Sequence, residues 1–222
     1  VKATFDRLAR IYRSLEFLAF GGDLERARFA LLGRLSRCRS ILVLGEGDGR
    51  CLQRLVRLAP QARIDCVELS AAMIAQASRR LAPPDRARVR FHWADARRAP
   101  LPGGEYDGIA TLFFLDCFTP AEVESLVGRA TDAAAPGALW LFADFTLPQR
   151  GWQRLRARAW LALLYGFFRL TTGLSARRLP PSEAILTAAG WRNCETCQFQ
   201  AGLLTASLYR RPALIAGPEA SP

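Results

Sequence analysis

The chain has 222 residues, half of them apolar, enough for one globular domain with a complete sheet-and-helix core. Its net charge of +11 is almost all arginine, spread over nearly every predicted helix, so it marks solvated helix faces or an acidic partner surface and argues against a nucleic-acid stripe. Cys194-Glu-Thr-Cys197 has no second pair and His92 is the single histidine, so no metal site is expected; the absence of a secretory signal at the start points to a reducing cytoplasm.

Residues 3–20 carry a helical stripe of Phe5, Leu8, Tyr12, Leu15 and Ala19, which Gly21-Gly22 breaks. Asp23 is expected to cap a second helix running to about Arg37, so that residues 1–39 form a helical lid on the domain that follows. From Ser40 strands and helices alternate. Strands are expected at 41–44, 64–68, 89–93, 106–112 and 138–142, the last ending at Asp144. Between them, Leu52, Leu55 and Val56 mark the inner face of one helix. Ser70 caps the next, with Met73, Ile74 and Leu81 apolar, and Pro83-Pro84 closes it. Thr119-Pro-Ala-Glu122 reads as a capping box with proline at the first helical position. Strands separated by single helices require right-handed crossovers and a mainly parallel sheet. After an insertion at about 148–179 comes a helix at 182–190, then two strands, 191–199 and 203–209, close enough for an antiparallel edge hairpin. The domain is expected to span 40–211, with 212–222 a disordered tail.

The stretch 41–50 organises the rest. Four apolar residues read as a buried strand, and Gly45, Gly47 and Gly49 follow at alternate positions, where the backbone can approach a ligand closely. This is the nucleotide-binding corner of a doubly wound sheet, yet the spacing misses the dinucleotide pattern. Glu46 and Asp48 place two carboxylates where a pyrophosphate would sit, and no phosphate-loop lysine is present. A ligand without phosphates that carries positive charge fits better, and S-adenosylmethionine (SAM) has a sulfonium, an ammonium and no phosphate.

Residues 40–145 resemble the class I SAM-dependent methyltransferases of the small-molecule type. The residues that carry the resemblance are Leu44-Gly-Glu-Gly-Asp-Gly49 for the first motif, Glu68 at the end of strand two, Ala94-Asp95-Ala96 after strand three, and Tyr106-Asp107 for the fourth. The resemblance implies a Rossmann-like, seven-stranded, mostly parallel α/β sheet with an antiparallel C-terminal hairpin and N-terminal helices. It also implies SAM as cofactor, held by Gly45, Glu46, Gly47, Asp48 and Gly49, with Glu68 on the ribose hydroxyls. Leu69 and Met73 would line the adenine, Asp95 and Ala96 would meet its amino edge, and Phe113 would lie beside the methionine part. One departure is Val43, where the family often has an acid. Phe5-Asp-Arg-Leu-Ala-Arg-Ile-Tyr12 is similar to a segment that such enzymes place over the cofactor. Tyr12 reads either as that lid or as a tyrosine packed on the core.

The acceptor is expected at the carboxyl ends of strands four and five, among Phe114, Phe118 and isolated carboxylates. Asp116, then Asp144, are the candidates for a general base, needed only if the nucleophile carries a proton. In the insertion a basic run precedes an uncharged segment containing Trp160 and Tyr165, both candidate acceptor contacts. That segment is shorter than the ~18–20 residues that cross a bilayer, and it reads as a core-covering helix, a hydrophobic lid or a peripheral membrane-surface helix. The leading functional reading is methyl transfer to a small, apolar or aromatic acceptor. A SAM-consuming reaction other than methylation, and a non-catalytic SAM-binding protein, stay open.

Overall fold

The computed structural model describes residues 22–146 and 179–213. The described residues begin with α1 (Asp23–Phe29) and a 3₁₀ turn at Leu32–Leu35. The single helix expected from Asp23 to Arg37 is thus corrected, and Asp23 is its first helical residue, with Gly22 at the cap. The two halves bury against different partners, which bends the chain between them. Leu24 and Ala27 pack with Leu203 and Leu204, whereas Leu31, Leu32 and Leu35 join Ile41 and Leu52 in the main core.

There follow β1 (Ser40–Leu44), α2 (Arg50–Leu58), β2 (Arg63–Glu68), α3 (Ala71–Arg80), a short α4 (Pro83–Arg86) and β3 (Val89–Trp93). Next come β4 (Tyr106–Leu112), α5 (Pro120–Asp132), β5 (Ala134–Phe145), α6 (Ser182–Ala188), β6 (Arg192–Phe199) and β7 (Leu204–Arg210). The seven strands form one sheet in the order β3-β2-β1-β4-β5-β7-β6. The first five are parallel, β7 is antiparallel to both its neighbours, and β6 is the edge. This is the expected Rossmann-like α/β architecture with its antiparallel C-terminal hairpin.

Alternation along the strands separates two cores. Ile41, Val43, Ile64 and Ala110 face α2 with Leu52, Leu55 and Val56; Leu42, Leu44, Ile109 and Trp140 face α5 and α6 with Val123, Leu126, Val127 and Leu186. β1 is buried on both faces, as a central parallel strand should be. Asp107 fastens its start, accepting the main-chain N–H groups of Arg39 and Ser40.

Local signals mostly hold. Ser70 accepts the Met73 N–H at 3.3 Å, and the Thr119–Glu122 capping box is complete. Pro83-Pro84 starts a new helical turn instead of ending one, because a proline at the first helical position has no N–H to leave unsatisfied. β5 begins four residues earlier than expected: Ala134 pairs with Tyr106, the register then breaks around Gly137 (φ +78°), and regular pairing resumes at Leu139. Several arginines have structural work. Arg88 donates to the carbonyls of Val56, Ala59 and Ala62 at the end of α2, and Arg129 to those of Ala96 and Ala99. Arg88 thereby satisfies orphan carbonyls and complements the dipole of α2, while Arg129 ties down the loop after β3.

Among the described residues no helix is long and apolar enough to cross a membrane. No group of three or more His, Cys, Asp or Glu side chains there is placed to hold a metal ion. Residues 1–21, most of the insertion and the tail from 214 lie outside the described residues, and with them Tyr12, Trp160 and Tyr165.

Candidate active site

Three glycines turn the chain from β1 into α2, all with left-handed backbone: φ is +69° at Gly45, +70° at Gly47 and +88° at Gly49. Two of them are also packed. A Cβ on Gly45 would lie 2.0 Å from the Phe114 ring, and one on Gly49 would lie 2.4 Å from the Ala77 Cα in α3. Gly47 faces open space, with nothing within 4 Å of its missing Cβ. The middle of the turn is therefore the part a ligand can approach, while the outer glycines let a ring and a helix close against it.

Its two carboxylates behave differently from a pair aimed at a ligand. Glu46 folds back so that its carboxyl accepts the Leu52 N–H at 2.7 Å, the third amide of α2. Gly49, the N-cap, has no side chain for that task. Burial pushes the Glu46 carboxyl up to about 8. The Leu52 hydrogen bond and Arg28 draw it down, and Asp48 and Glu68 oppose them. Asp48 is held by two guanidiniums, Arg50 at 3.2 Å and Arg80 at 3.0 Å. The helix N-terminus that would bind pyrophosphate in a dinucleotide fold is thus partly filled by the protein's own carboxyl group.

Glu68 ends β2 beside this turn. One of its oxygens accepts the Gly47 N–H at 3.1 Å and the other the Ser70 N–H at 2.9 Å. A carboxylate offers about four acceptor positions, so two remain for vicinal hydroxyls. Next to it, Leu69 is 59% and Trp93 62% exposed, the two large apolar side chains of the described residues that stand open to solvent. The Trp93 indole N–H donates to the Leu69 carbonyl at 2.9 Å, which fixes the ring against that strand end. Met73 is half-buried one turn into α3. A flat apolar ring adjoining a diol fits this combination.

Asp95 is less free than its motif implies. Arg97 grips both of its oxygens, at 2.9 Å through Nε and 2.7 Å through the terminal nitrogen, and these bonds hold the carboxyl below its ordinary range. Ala96 is buried against the α5 side of the sheet.

At the ends of β4 and β5 the chain is strained and acidic. Phe113 has φ +55°, its N–H donating to the Ala143 carbonyl at 2.7 Å and its ring meeting Phe145 edge-on. Non-glycine residues held in this region cluster at functional sites. Phe114 turns to the other side, under Gly45, and stacks edge-on with Phe118 at 4.8 Å. These two rings, expected to contact the acceptor, chiefly support the glycine turn and pack on the α5 core.

The two aspartates, 28 residues apart in sequence, meet here. The Asp116 N–H donates to Asp144 Oδ2 at 3.0 Å, the Phe145 N–H donates to Oδ1 at 2.9 Å, and the two carboxyl groups bond each other. Asp144 is only 2% exposed. Burial pushes Asp116 up to about 6, moderated by hydrogen bonds from the Cys117 thiol and Asp144. Burial, then the neighbouring Asp116 charge, holds Asp144 well above the carboxylate range. Two such groups in contact cannot both ionise readily, so the pair holds one proton in common at neutral pH.

Asp144 also lines a cavity of about 330 Å³ between the end of β5 and the start of α6, with Phe142, Phe145, Thr146, Pro181 and Glu183 on its wall. Burial raises the Glu183 carboxyl above its ordinary range, against a hydrogen bond from Ser207. Glu183 was not a sequence candidate, because an acid in the first turn of a helix ordinarily answers the helix dipole. Arg97 was missed likewise, although an arginine two residues after an aspartate could have signalled a local clamp.

A family model described as a methyltransferase domain matches residues 41–137. Demethylmenaquinone methyltransferase of Thermus thermophilus is 32% identical over 149 residues, 66% of this chain and 66% of that one. Acetylserotonin O-methyltransferase of Rattus norvegicus is 33% identical over 159 residues, 68% of this chain and 36% of that one. The chain therefore spans just under two thirds of the first relative's length and about a third of the second's. The solved structure of the S-adenosylmethionine-dependent methyltransferase SibL superposes with a TM-score of 0.65 at 22% identity, over 92% of this chain and 58% of that one.

Proposed function

The chain belongs to the class I SAM-dependent methyltransferases, and on that premise we propose that it moves a methyl group from SAM to a small, largely apolar acceptor. The observation that carries this reading is the Asp116–Asp144 pair at the ends of β4 and β5, whose buried member, Asp144, lines a cavity walled by Phe142 and Phe145. The relatives named for demethylmenaquinone and acetylserotonin accord with a small-molecule acceptor.

Glu68 would hold the ribose hydroxyls, and Leu69, Met73 and Trp93 would bracket the adenine. Ala96 would support that end of the site from the core, and Asp95 would reach the adenine amino group only by sharing its carboxylate with Arg97. Gly45, Gly47 and Gly49 bring the main chain close to the amino-acid end, with Glu46, Asp48 and Phe113 near it. When bound, SAM supplies an electrophilic methyl on a sulfonium. The pair, with one of its two carboxyl groups ionised, can take a proton from a hydroxyl or amine nucleophile; Asp116 is the proposed base and Asp144, bonded to its main chain, holds it in place. The aromatic walls exclude water and align the acceptor, from which much of the rate in a displacement comes.

The test is incubation with SAM and a panel of hydroxylated and amino aromatic compounds, followed by mass spectrometry. A methylated acceptor with S-adenosylhomocysteine is the expected product. Methylthioadenosine in its place would mean that SAM is consumed by different chemistry, and no turnover with intact cofactor binding would mean a binding protein.

A further inference from the structure

The geometry points to Arg28 as the residue that receives the carboxylate of the cofactor's amino-acid end, a role that rests on the glycine turn and Glu68 forming the SAM site. SAM presents a carboxylate beside its ammonium, and a carboxylate leaving water needs a cation. Near the turn, Arg50 and Arg80 are both committed to Asp48. Arg28 has no acidic side chain within ion-pairing distance among the described residues, since the ion pairs there join other groups.

Its position is set by packing. Leu24 and Ala27 seat α1 on Leu203 and Leu204, with Phe113 and Phe145 against the same cluster. Arg28 is the next residue, half-buried, with its guanidinium 5.4 Å over the Phe113 ring. Glu25, on the same helix, reaches Arg50 at 3.8 Å, which ties α1 across the start of α2. Arg28 is close enough to Glu46 to act on it electrostatically. So the guanidinium lies over the Phe113 ring at the strained end of β4, within electrostatic reach of the glycine turn. A guanidinium is a planar fork that can match a carboxylate bidentately. Glu46, which keeps its proton near neutral pH, leaves that positive charge largely uncancelled.

Arg28 would therefore select cofactors that keep the amino-acid end. Calorimetric titration of wild type, Arg28→Gln and Arg28→Lys with S-adenosylhomocysteine and with 5′-methylthioadenosine, which lacks the amino-acid end, tests it. Arg28→Gln should weaken S-adenosylhomocysteine binding about ten- to a hundredfold, with Arg28→Lys between the two. Methylthioadenosine affinity should change by less than about threefold. Equal losses for both nucleosides would make Arg28 a structural stack between α1 and β4, and no loss for either would remove it from the site. Wild type that binds neither nucleoside would contradict the SAM site itself, a failure distinct from that of Arg28.

Discussion

Glu46→Gln isolates a proton that the fold holds in place. The glutamine oxygen can still accept the Leu52 N–H that Glu46 takes at 2.7 Å, so the cap on α2 survives while the titration is removed. The wild-type carboxyl is pushed from an ordinary 4.5 to about 8, chiefly by burial. The sign follows from linkage: between those values the folded protein keeps the proton and the unfolded chain has released it. The stability this provides is fully present below about pH 4.5 and is lost as pH rises through about 8. One proton changes stability by ~1.4 kcal/mol per pH unit, so the whole window carries roughly 5 kcal/mol at most, less where water reaches the carboxyl. Urea denaturation of both proteins at half-unit steps from pH 5 to 9 reads the difference directly. Groups common to both, such as Asp116, Asp144 and Glu183, cancel. The variant should gain on wild type by up to ~1.4 kcal/mol for each pH unit above 5 and then level off. Parallel curves over the whole range would refute the buried, protonated Glu46.

Gly49→Ala combines a left-handed residue with a Cβ 2.4 Å from the Ala77 backbone, and should cost about 2–5 kcal/mol. Gly47→Ala meets only the backbone term, about 1–2 kcal/mol, since nothing lies within 4 Å; equal losses in denaturation midpoints would contradict that contrast. Asp116→Asn should lower turnover about a hundredfold or more while S-adenosylhomocysteine affinity holds. Wild-type activity should rise with pH through about 6 as the Asp116–Asp144 pair gives up a proton, and an Asp116→Asn variant of equal activity would exclude Asp116 as the base.

The fold was legible because its signals are local. Apolar runs closed by glycine, a cap at Ser70 and a capping box at Thr119 each specify one element without help from the rest of the chain. What escaped depends on residues distant in sequence. That Gly45 needs Phe114 and Gly49 needs Ala77, or that α1 ends where its partners change, cannot be read before the sheet is assembled. In sequence, Glu46 and Asp48 look like a charged pair facing a ligand. One turns inward to cap a helix and the other is held by two arginines, which only the assembled turn reveals. Asp116 and Asp144 were legible as separate candidates, but their contact, which sets the proton count of the pair, belongs to the tertiary structure.

The central claim is that the glycine turn and Glu68 hold SAM. Calorimetric titration of S-adenosylhomocysteine into wild type and Glu68→Ala tests it most directly. Wild type should bind, and the variant, without the carboxylate that now meets Gly47 at 3.1 Å and Ser70 at 2.9 Å, should bind more weakly. The expected loss is about 1–3 kcal/mol, roughly five- to 150-fold. Equal affinity in the two proteins, or no binding by wild type, would contradict the account.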